Sequence, residues 1–195
     1  LKLSRGLGDV YKRQEFMSCI PGSIGGGIRM NSGCFKKEFK DFLISIQVVD
    51  FKGLVRSIPA NKISFNYRSI ELPKDLIFLS ATFKGKQKNS EEINNYMTEL
   101  NRIKNMAQPT KIKTSGSTFK NPISQTDKKV WELIKSSVSH EISYGDAVIS
   151  KKHANFFVNK KNAKAADMKS LINFVKKKVK DQTGIKLELE IVVVE

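Results

Sequence analysis

Short apolar runs separated by glycine turns mark the first half of the chain. Apolar residues alternate with polar ones over 44–50, a turn follows at Gly53, and a second run ends at Ile58. Because the side chains of a strand point alternately to its two faces, this pattern predicts a β-hairpin. Residues 76–83 form another apolar run of strand length and predict a further strand.

Apolar residues at helical spacing indicate two helices after these strands. Ser90 is predicted to cap the first helix, which ends before Pro109. Asp127 is predicted to cap the second, a short helix that contains Trp131. We interpret this tryptophan as a core residue and not as a binding platform.

A third helix and a terminal strand complete the pattern. Asp167 is predicted to cap a long amphipathic helix, and Gly184 to end it. Residues 185–194 alternate between apolar and polar, which predicts a strand with one apolar face and with Glu190 on the opposite face. Helices and hairpin-like strands in mixed order predict an α+β fold.

The first 15 residues differ from the rest of the chain. Residues 1–15 show neither a helical nor a strand period and carry isolated charges between glycines. We interpret them as a non-native or disordered leader, of the kind that processing leaves behind. The organised protein is therefore expected to begin near Phe16.

Length and composition exclude several classes of protein. With 195 residues, 39% of them hydrophobic, the chain can bury a core and is not a disordered tail. No apolar run has the length of a membrane span or of a signal peptide, so we expect a cytoplasmic protein without membrane contact. Cys19 and Cys34 lack partners at metal-ligand spacing, which predicts reduced thiols and no metal site.

The charge of the chain adds a constraint on its partners. The formal net charge of +16 favours an anionic partner, such as nucleic acid or a phosphate-bearing small molecule. The lysine cluster at 176–180 lies on the polar face of the third predicted helix, without interleaved aromatic residues that would stack on bases. We expect no nucleic acid partner, and a basic non-catalytic protein that binds RNA or another anion is the alternative to an enzyme.

Glycine is concentrated in residues 20–33. Five of the chain's 12 glycines lie there, interleaved with apolar Ile24, Ile28 and Met30. Such glycines let backbone N–H groups approach an anion, although the spacing matches neither a Walker loop nor a dinucleotide-binding fingerprint. We interpret the segment as a ligand-contacting turn, with a flexible linker as the alternative.

A second candidate site is the loop Gly116-Ser117-Thr118-Phe119-Lys120-Asn121-Pro122. It combines a hydroxyl, a cation and an amide between a glycine hinge and a proline stop. Polar groups on such a loop are more often functional than packed, and a solvated turn is the alternative.

Five motifs, taken in order, resemble one enzyme family. They are Ile20-Pro21-Gly22-Ser23-Ile24-Gly25-Gly26, Phe65-Asn66-Tyr67-Arg68, the loop 116–122, Lys152-His153-Ala154-Asn155-Phe156-Phe157-Val158-Asn159 and Leu187-Glu188-Leu189-Glu190-Ile191. The family is UDP-N-acetylmuramate dehydrogenase, also called UDP-N-acetylenolpyruvoylglucosamine reductase, and the resemblance covers about residues 18–194. Five ordered motifs are far more specific than any one of them.

The resemblance implies a flavoenzyme of peptidoglycan precursor synthesis. In this family NADPH reduces bound FAD, and the flavin passes hydride to UDP-N-acetylglucosamine enolpyruvate, which gives UDP-N-acetylmuramate. From the resemblance we expect a small-molecule substrate, FAD and NADPH as cofactors, and a monomer.

The resemblance also implies roles for residues of this sequence. Ser117 matches the family's proton donor, and Arg68 and Glu190 match its other two catalytic positions. A guanidinium suits a carboxylate on which negative charge develops. The substrate-binding positions correspond to Lys120, Asn121 and His153. The cofactor-binding positions correspond to Ile20, Pro21, Gly22, Ser23, Gly25, Gly26, Asn31 and Gly33.

Each candidate also has a structural interpretation. Arg68 can be a surface salt-bridge residue, Glu190 a solvent-facing strand carboxylate and His153 a structural histidine. The ordered motifs favour catalysis for Ser117, Arg68 and Glu190.

The resemblance divides the chain into the leader at 1–15, part of an FAD-binding domain at 16–88 and a C-terminal substrate-binding domain at 89–195. The FAD-binding part corresponds to the second lobe of a PCMH or vanillyl-alcohol-oxidase-like FAD domain. The family's first lobe, which helps to hold the FAD pyrophosphate, has no counterpart, so we expect an N-terminally truncated copy. An inactive fragment is therefore a further alternative.

Overall fold

The computed structural model describes residues 11–12, 14–110 and 112–194. The helices in these residues are α1 (Ile24–Arg29), α2 (Ser90–Ala107), α3 (Val130–Ser137) and α4 (Ala165–Thr183). The strands are β1 (Tyr11–Lys12), β2 (Gly33–Cys34), β3 (Lys37–Glu38), β4 (Leu43–Val49), β5 (Val55–Pro59), β6 (Ser64–Asn66), β7 (Ser69–Glu71), β8 (Ile77–Phe83), β9 (Lys86–Gln87), β10 (Thr114–Ser117), β11 (Ser143–Tyr144), β12 (Ala147–Ile149) and β13 (Phe156–Asn159). The predicted α+β class is confirmed.

The chain divides into two compact units, one that extends to Lys104 and one that begins at Asn105. Most of α2 therefore lies in the first unit, whereas the sequence-based boundary between residues 88 and 89 places it in the second. The assignment of 16–88 to FAD binding and of 89–195 to substrate binding stays a prediction.

The first unit is built on an antiparallel sheet of order β5-β4-β8. β4 and β5 form the predicted hairpin, with Ile46 opposite Ile58, and β8 is the predicted further strand. The turn closes at Gly53, whose φ of 83° favours glycine. The Asp50 carboxylate accepts two backbone N–H groups of this turn, each at 3.0 Å.

The core of the first unit lies between this sheet and the segments around α1. Phe16, Ile28 and Phe39 are buried together with Ile46 and Val48. Removal of these side chains from water is the main force that holds α1 against the sheet.

Part of the predicted leader belongs to this unit. β1 pairs with β9, the Gln14 amide donates to the Lys84 carbonyl at 3.3 Å, and Glu15 is buried. Residues 11, 12, 14 and 15 are thus folded, so the expected start at Phe16 is too late for them. Residues 1–10 and 13 lie outside the described residues.

The second unit has an antiparallel sheet of order β10-β13-β12-β11, against which α3 and α4 pack. Phe119, Leu133, Leu171 and Val175 are among the fully buried side chains of its core. α4 ends as predicted at Gly184, which has a left-handed φ of 75°.

The helix starts differ from the prediction. Asn89, not Ser90, caps α2, because its side-chain oxygen accepts a first-turn N–H at 2.8 Å. In α3 and α4, Glu132 and Asp167 occupy the third helical position and accept the N–H of the residue before the helix. Asp127 therefore does not cap α3, and Asp167 lies within the first turn of α4.

The prediction of a strand over 185–194 is wrong: the segment makes only an isolated bridge between Phe119 and Leu189 and bends at residues 190 and 191. The opposing chain turns at Pro122, which lacks the N–H that a longer ladder requires. The alternation of burial nevertheless holds as far as Leu189. Ile191 also packs against the core, but Glu190 between them is half-buried and not exposed.

Two neighbouring glycines of α1 provide a test of how closely this helix packs against Phe39 in the core of the first unit. A Cβ added at Gly27 would lie 2.4 Å from Phe39 Cζ, whereas one at Gly26 would meet the Ser23 hydroxyl at 3.4 Å. We expect Gly27→Ala to lower the free energy of unfolding by about 1–3 kcal/mol, because the buried ring has to move. Gly26→Ala should be neutral or raise it by up to about 1 kcal/mol. Urea unfolding followed by circular dichroism measures both, and equal effects would contradict this packing.

Candidate functional site

The predicted site residues fall in both units. The first unit contains Arg68 and the glycine-rich segment. The second unit contains Ser117, Lys120, Asn121, His153 and Glu190. Each unit therefore carries its own cluster of candidate residues.

The glycine-rich segment is a loop followed by a short helix, not a linker. Ser23 caps α1, and its hydroxyl accepts the Gly26 N–H at 3.1 Å. Gly22 has a φ of 124°, and a Cβ placed there would meet nothing within 4 Å. Pro21 is exposed together with Gly22 and Ser23. The stretch thus presents open backbone where the first N–H groups of a helix lack intrahelical partners.

Other residues of the segment have packing reasons for their identity. A Cβ at Gly25 would lie 3.2 Å from Phe78 Cβ, and one at Gly33 would lie 2.6 Å from a carbonyl of β3. Ile20 packs against the core of the unit. The density of glycine therefore reflects close packing as much as access for a ligand.

Asn31 is fully buried, and its side chain is held by three hydrogen bonds. Nδ2 donates to Glu38 Oε2 at 3.0 Å and to the Asn66 carbonyl at 3.1 Å. Oδ1 accepts the Lys40 N–H at 3.1 Å. These bonds join three segments and give the side chain a structural role, and its contact with a cofactor stays a prediction.

Arg68 occupies a strained position in a tight turn. β6 and β7 pair with Asn66 opposite Ser69, so Tyr67 and Arg68 form a two-residue turn. The φ of Arg68 is 57°, a left-handed conformation that costs a non-glycine residue about 1–2 kcal/mol. Its guanidinium carbon lies 4.9 Å from the Tyr67 ring centroid, and Nη2 lies 3.5 Å from the Gly33 carbonyl. Strain of this kind clusters at functional sites and supports the choice of Arg68 as a candidate.

Arg29, which was not among the predicted site residues, connects α1 to the loop before β8 by hydrogen bonds. Its guanidinium donates to the carbonyls of Leu72, Pro73 and Leu76 at 3.0–3.3 Å. It also lies 5.2 Å from the Phe78 ring centroid. A basic residue within an apolar, glycine-rich segment was the available signal.

Ser117 ends β10 opposite Phe156 of β13 and is partly buried. Gly116 has a φ of 93°, which confirms the predicted glycine hinge. Among the described residues, the Ser117 hydroxyl has no hydrogen-bond partner. It is therefore available to a ligand.

The backbone after Ser117 is bonded to the C-terminal segment. The Thr118 carbonyl accepts the Glu190 N–H, and the Lys120 N–H donates to the Glu188 carbonyl, each at 2.9 Å. Opposite residues of an antiparallel bridge project to the same side, so the side chain of Glu190 shares the side of Thr118. The structure thus brings Glu190 next to the residue that follows Ser117.

Lys120 and Asn121 have identifiable local partners. Lys120 Nζ lies 3.8 Å from Glu188 Oε2, and Glu188 is 74% exposed, so this ion pair contributes little and can yield to a ligand. Asn121 Oδ1 accepts the Val130 N–H at 3.0 Å and thereby helps to start α3. The substrate contacts of both residues stay predictions.

His153 lies in an aromatic environment that favours its neutral form. Its ring centroid lies 5.0 Å from that of Phe156 and 6.3 Å from that of Trp131. The Asn155 N–H donates to Nδ1 at 3.2 Å, so the proton of the neutral ring is on Nε2. Burial lowers the pKa of His153 below its ordinary value. Near neutral pH the ring is therefore a hydrogen-bond donor without charge.

The interpretation of Trp131 as a core residue is wrong. Its side chain is 38% exposed, whereas Val130, Leu133 and Ile134 of the same helix are buried. A residue one position from Val130 is turned by about 100° around the helix, away from the core. The indole instead lies beside His153.

Other possible sites lie apart from these clusters. An apolar groove of about 610 Å³ between α4 and the C-terminal segment is lined in part by Met168, Ile172, Leu189 and Ile191, and by none of the predicted site residues.

Cys19 and Cys34 are free thiols, as predicted. In the described part of the chain we find no acidic, histidine or cysteine cluster able to hold a metal ion. No helix there is long and apolar enough to cross a membrane.

The state of His153 can be tested by NMR. We expect its pKa to lie below 6.5, with the neutral proton on Nε2, in a ¹⁵N-resolved titration. His153→Gln identifies the signal, because the chain has 2 histidines. A pKa above the ordinary value, or a proton on Nδ1, would contradict the environment described.

The same shift predicts a pH dependence of stability. The pKa of His153 is lower in the folded state than its unfolded value of about 6.5. The contribution of the neutral His153 to stability is therefore fully present above about pH 6.5. It is lost as the pH falls through this value towards the folded pKa. The unfolding temperature of the wild type should therefore fall more than that of His153→Gln over this window.

Comparison with known proteins identifies close relatives of this chain. Residues 108–194 match the family model of the UDP-N-acetylenolpyruvoylglucosamine reductase C-terminal domain. The UDP-N-acetylenolpyruvoylglucosamine reductase of Pelagibacter ubique is 62% identical over 189 residues, which cover 97% of this chain and 61% of that protein. The Rickettsia bellii protein of the same name is 46% identical over 177 residues, covering 91% of this chain and 58% of the relative.

A solved structure shows the same fold. The crystal structure of UDP-N-acetylenolpyruvylglucosamine reductase (MurB) from Thermus caldophilus matches with a TM-score of 0.76 and 32% identity, over 91% of this chain and 62% of that chain. The resemblance and the fold predicted from the five motifs are thereby confirmed. The chain spans about 61% of the length of the Pelagibacter relative.

Proposed function

We propose that this chain, which carries the C-terminal domain of the UDP-N-acetylenolpyruvoylglucosamine reductase family, takes part in the NADPH-dependent, FAD-mediated reduction of UDP-N-acetylglucosamine enolpyruvate to UDP-N-acetylmuramate. The proposed setting is cytoplasmic peptidoglycan synthesis. The observation that carries the proposal is the bond between the Thr118 carbonyl and the Glu190 N–H, which joins the Ser117 loop to Glu190. The chain spans about 61% of the length of the Pelagibacter relative. That this chain is active by itself is therefore also a proposal.

The glycine-rich segment has features that suit FAD. Open backbone at Gly22 and Ser23 and the first N–H groups of α1 are the donors that a diphosphate requires. When bound and reduced by NADPH, FAD supplies a hydride. On this basis we assign residues 16–88 to cofactor binding and 89–195 to substrate binding.

Ser117 is the proposed proton donor. Reduction of the enolpyruvyl double bond requires a proton on the carbon that does not receive the hydride, and the Ser117 hydroxyl has no competing partner among the described residues. A serine hydroxyl is a weak acid, so neighbouring groups must stabilise its conjugate base or return the proton. Lys120 and Glu190 are the groups proposed for this.

Arg68 is proposed to bind the substrate carboxylate. A guanidinium remains cationic and forms two parallel hydrogen bonds with a carboxylate. Held beside a carboxylate on which negative charge develops, it stabilises the transition state. Lys120, Asn121 and His153 are proposed to contact the substrate, with Lys120 meeting its carboxylate or its diphosphate.

The alternative of a positively charged, non-catalytic protein that binds RNA or another anion receives less support from the structure. Lys177 of α4 pairs with Asp181 at 2.8 Å, and Lys178 and Lys180 are exposed to solvent. A solvated face of this kind is common in helices and does not by itself indicate an RNA site.

FAD binding and the effect of Ser117→Ala test the proposed function. We expect the purified chain to bind FAD saturably, as followed by flavin fluorescence and visible absorption. NADPH oxidation should then depend on UDP-N-acetylglucosamine enolpyruvate. Ser117→Ala should lower kcat by at least about 100-fold, the usual contribution of a general acid, with little effect on folding.

Ser115→Ala is the matched control, since Ser115 is an exposed serine on the same strand. Equal losses in the two variants would contradict the role of Ser117. Folded protein that binds no FAD would overturn the flavin part of the proposal. Affinity for RNA that ignores FAD and falls steeply with salt would favour the basic alternative.

Arg68 is tested by comparing two substitutions. Arg68→Ala should lower kcat/KM by about 100-fold or more, through loss of a charged contact in the transition state. Arg68→Lys should recover only part of it, because an ammonium cannot form the bidentate contact. Arg56→Ala, which removes a guanidinium paired with Asp50 at 2.7 Å, controls for loss of a surface cation. Full recovery by lysine would show that charge alone matters.

A further inference from the structure

We propose that Asn155 is a positioning residue that holds Ser117 for proton transfer, an inference that rests on the role proposed above for Ser117. Asn155 directly precedes β13, and its side chain is only 3% exposed. It received no role from the sequence. Its contacts are with the backbone that follows Ser117.

The carboxamide of Asn155 binds both backbone groups of Phe119. Oδ1 accepts the Phe119 N–H at 2.9 Å, and Nδ2 donates to the Phe119 carbonyl at 2.8 Å. The backbone carbonyl of Asn155 accepts the Thr118 N–H at 2.8 Å. Three hydrogen bonds from one residue thus hold the two residues that directly follow Ser117.

The hydrogen bonds of Asn155 replace the backbone bonds that a regular pairing of β10 with β13 would make at this point. The register between the two strands shifts between Thr114 and Ser117, so regular pairing is interrupted just before the loop. Buried N–H and carbonyl groups require partners, and here a side chain supplies them. The orientation of Ser117 therefore depends on Asn155 in a way that an unbroken strand would not require.

The held segment is also the attachment point of Glu190. The Thr118 carbonyl accepts the Glu190 N–H at 2.9 Å. The Phe119 ring is buried and meets Phe157 edge to face, with centroids 5.7 Å apart. Loss of the Asn155 carboxamide leaves the ring in place but releases the peptide groups, and so displaces Ser117 relative to Glu190.

Asn155 also contacts His153, but through a different group. Its backbone N–H donates to His153 Nδ1 at 3.2 Å. Because side-chain substitution leaves this N–H in place, the effect on Ser117 can be separated from an effect on the histidine.

Asn159, the last residue of β13, provides a matched control. Its Oδ1 accepts the Ala163 N–H at 2.9 Å, and its Nδ2 lies 3.4 Å from the Ala163 carbonyl. The same side chain thus makes the same type of backbone contact, but at the other end of β13, where it holds the turn before α4. Asn159→Ala removes an equivalent pair of bonds without affecting the Ser117 loop.

The experiment compares Asn155→Ala, Asn155→Asp and Asn159→Ala in the full chain. Amide hydrogen exchange, resolved by NMR, is measured at Phe119 and Ala163. We expect Asn155→Ala to speed exchange at Phe119 by about 100-fold with Ala163 unchanged, and Asn159→Ala to do the reverse. Asn155→Asp keeps an acceptor for the Phe119 N–H but places a second acceptor oxygen against its carbonyl, so it should not restore the protection of Phe119 to the wild-type level.

Turnover is measured with added FAD, NADPH and UDP-N-acetylglucosamine enolpyruvate. Asn155→Ala should lower kcat by about 100-fold, the cost of misplacing a reacting group by roughly 1 Å, while KM changes less than about 3-fold. The solvent deuterium isotope effect on kcat should increase, because proton transfer becomes slower. Asn159→Ala should change neither kcat nor the isotope effect.

Two results overturn the inference. One is unchanged exchange at Phe119 in Asn155→Ala, which shows that the carboxamide does not hold the loop. The other is a loss that appears in KM, or equally in Asn159→Ala, which shows a general structural effect. If the wild type has no turnover, the proposed function fails, whereas exchange at Phe119 still decides whether Asn155 holds the loop.

Discussion

The backbone pairing between residues 118–120 and 188–190 is the constraint on which the candidate site of the second unit depends. Phe119 and Leu189 face each other across this bridge and pack in or against the core. The opposite side of the bridge carries the polar residues Thr118 and Glu190, of which Thr118 is buried and Glu190 half-buried. Glu190 and the Ser117 loop thus owe their proximity to apolar packing and not to an attraction between their polar groups.

The first unit relies on polar ties where its apolar contacts are few. α1 is short and rich in glycine, which makes it a poor helix by itself. Arg29 and Asn31 compensate by donating hydrogen bonds to carbonyls of distant segments. The rigid frame that results is what allows Arg68 to persist in a left-handed conformation, since such strain survives only where surrounding contacts outweigh it.

Periodicity predicted the sheet and the long helices because it reflects burial, which acts on every residue of an element. The hairpin of β4 and β5 and the end of α4 at Gly184 are examples. Features set by one hydrogen bond were harder to predict. Asn89 and Ser90 are both suitable caps, and only the backbone path chooses between them. Arg29 and Asn155 bind partners 43 and 36 positions away, a pairing that no local pattern contains.

The glycine-rich segment shows where a pattern leaves the physical cause open. Sequence cannot distinguish a glycine needed for a close ligand from one needed for close packing, since both require the absence of a Cβ. Gly27 and Gly33 would collide with the protein itself, whereas Gly22 would meet nothing. A ligand contact is therefore best supported at the exposed residues Pro21, Gly22 and Ser23. Gly27 and Gly33 serve the fold that keeps these residues in place.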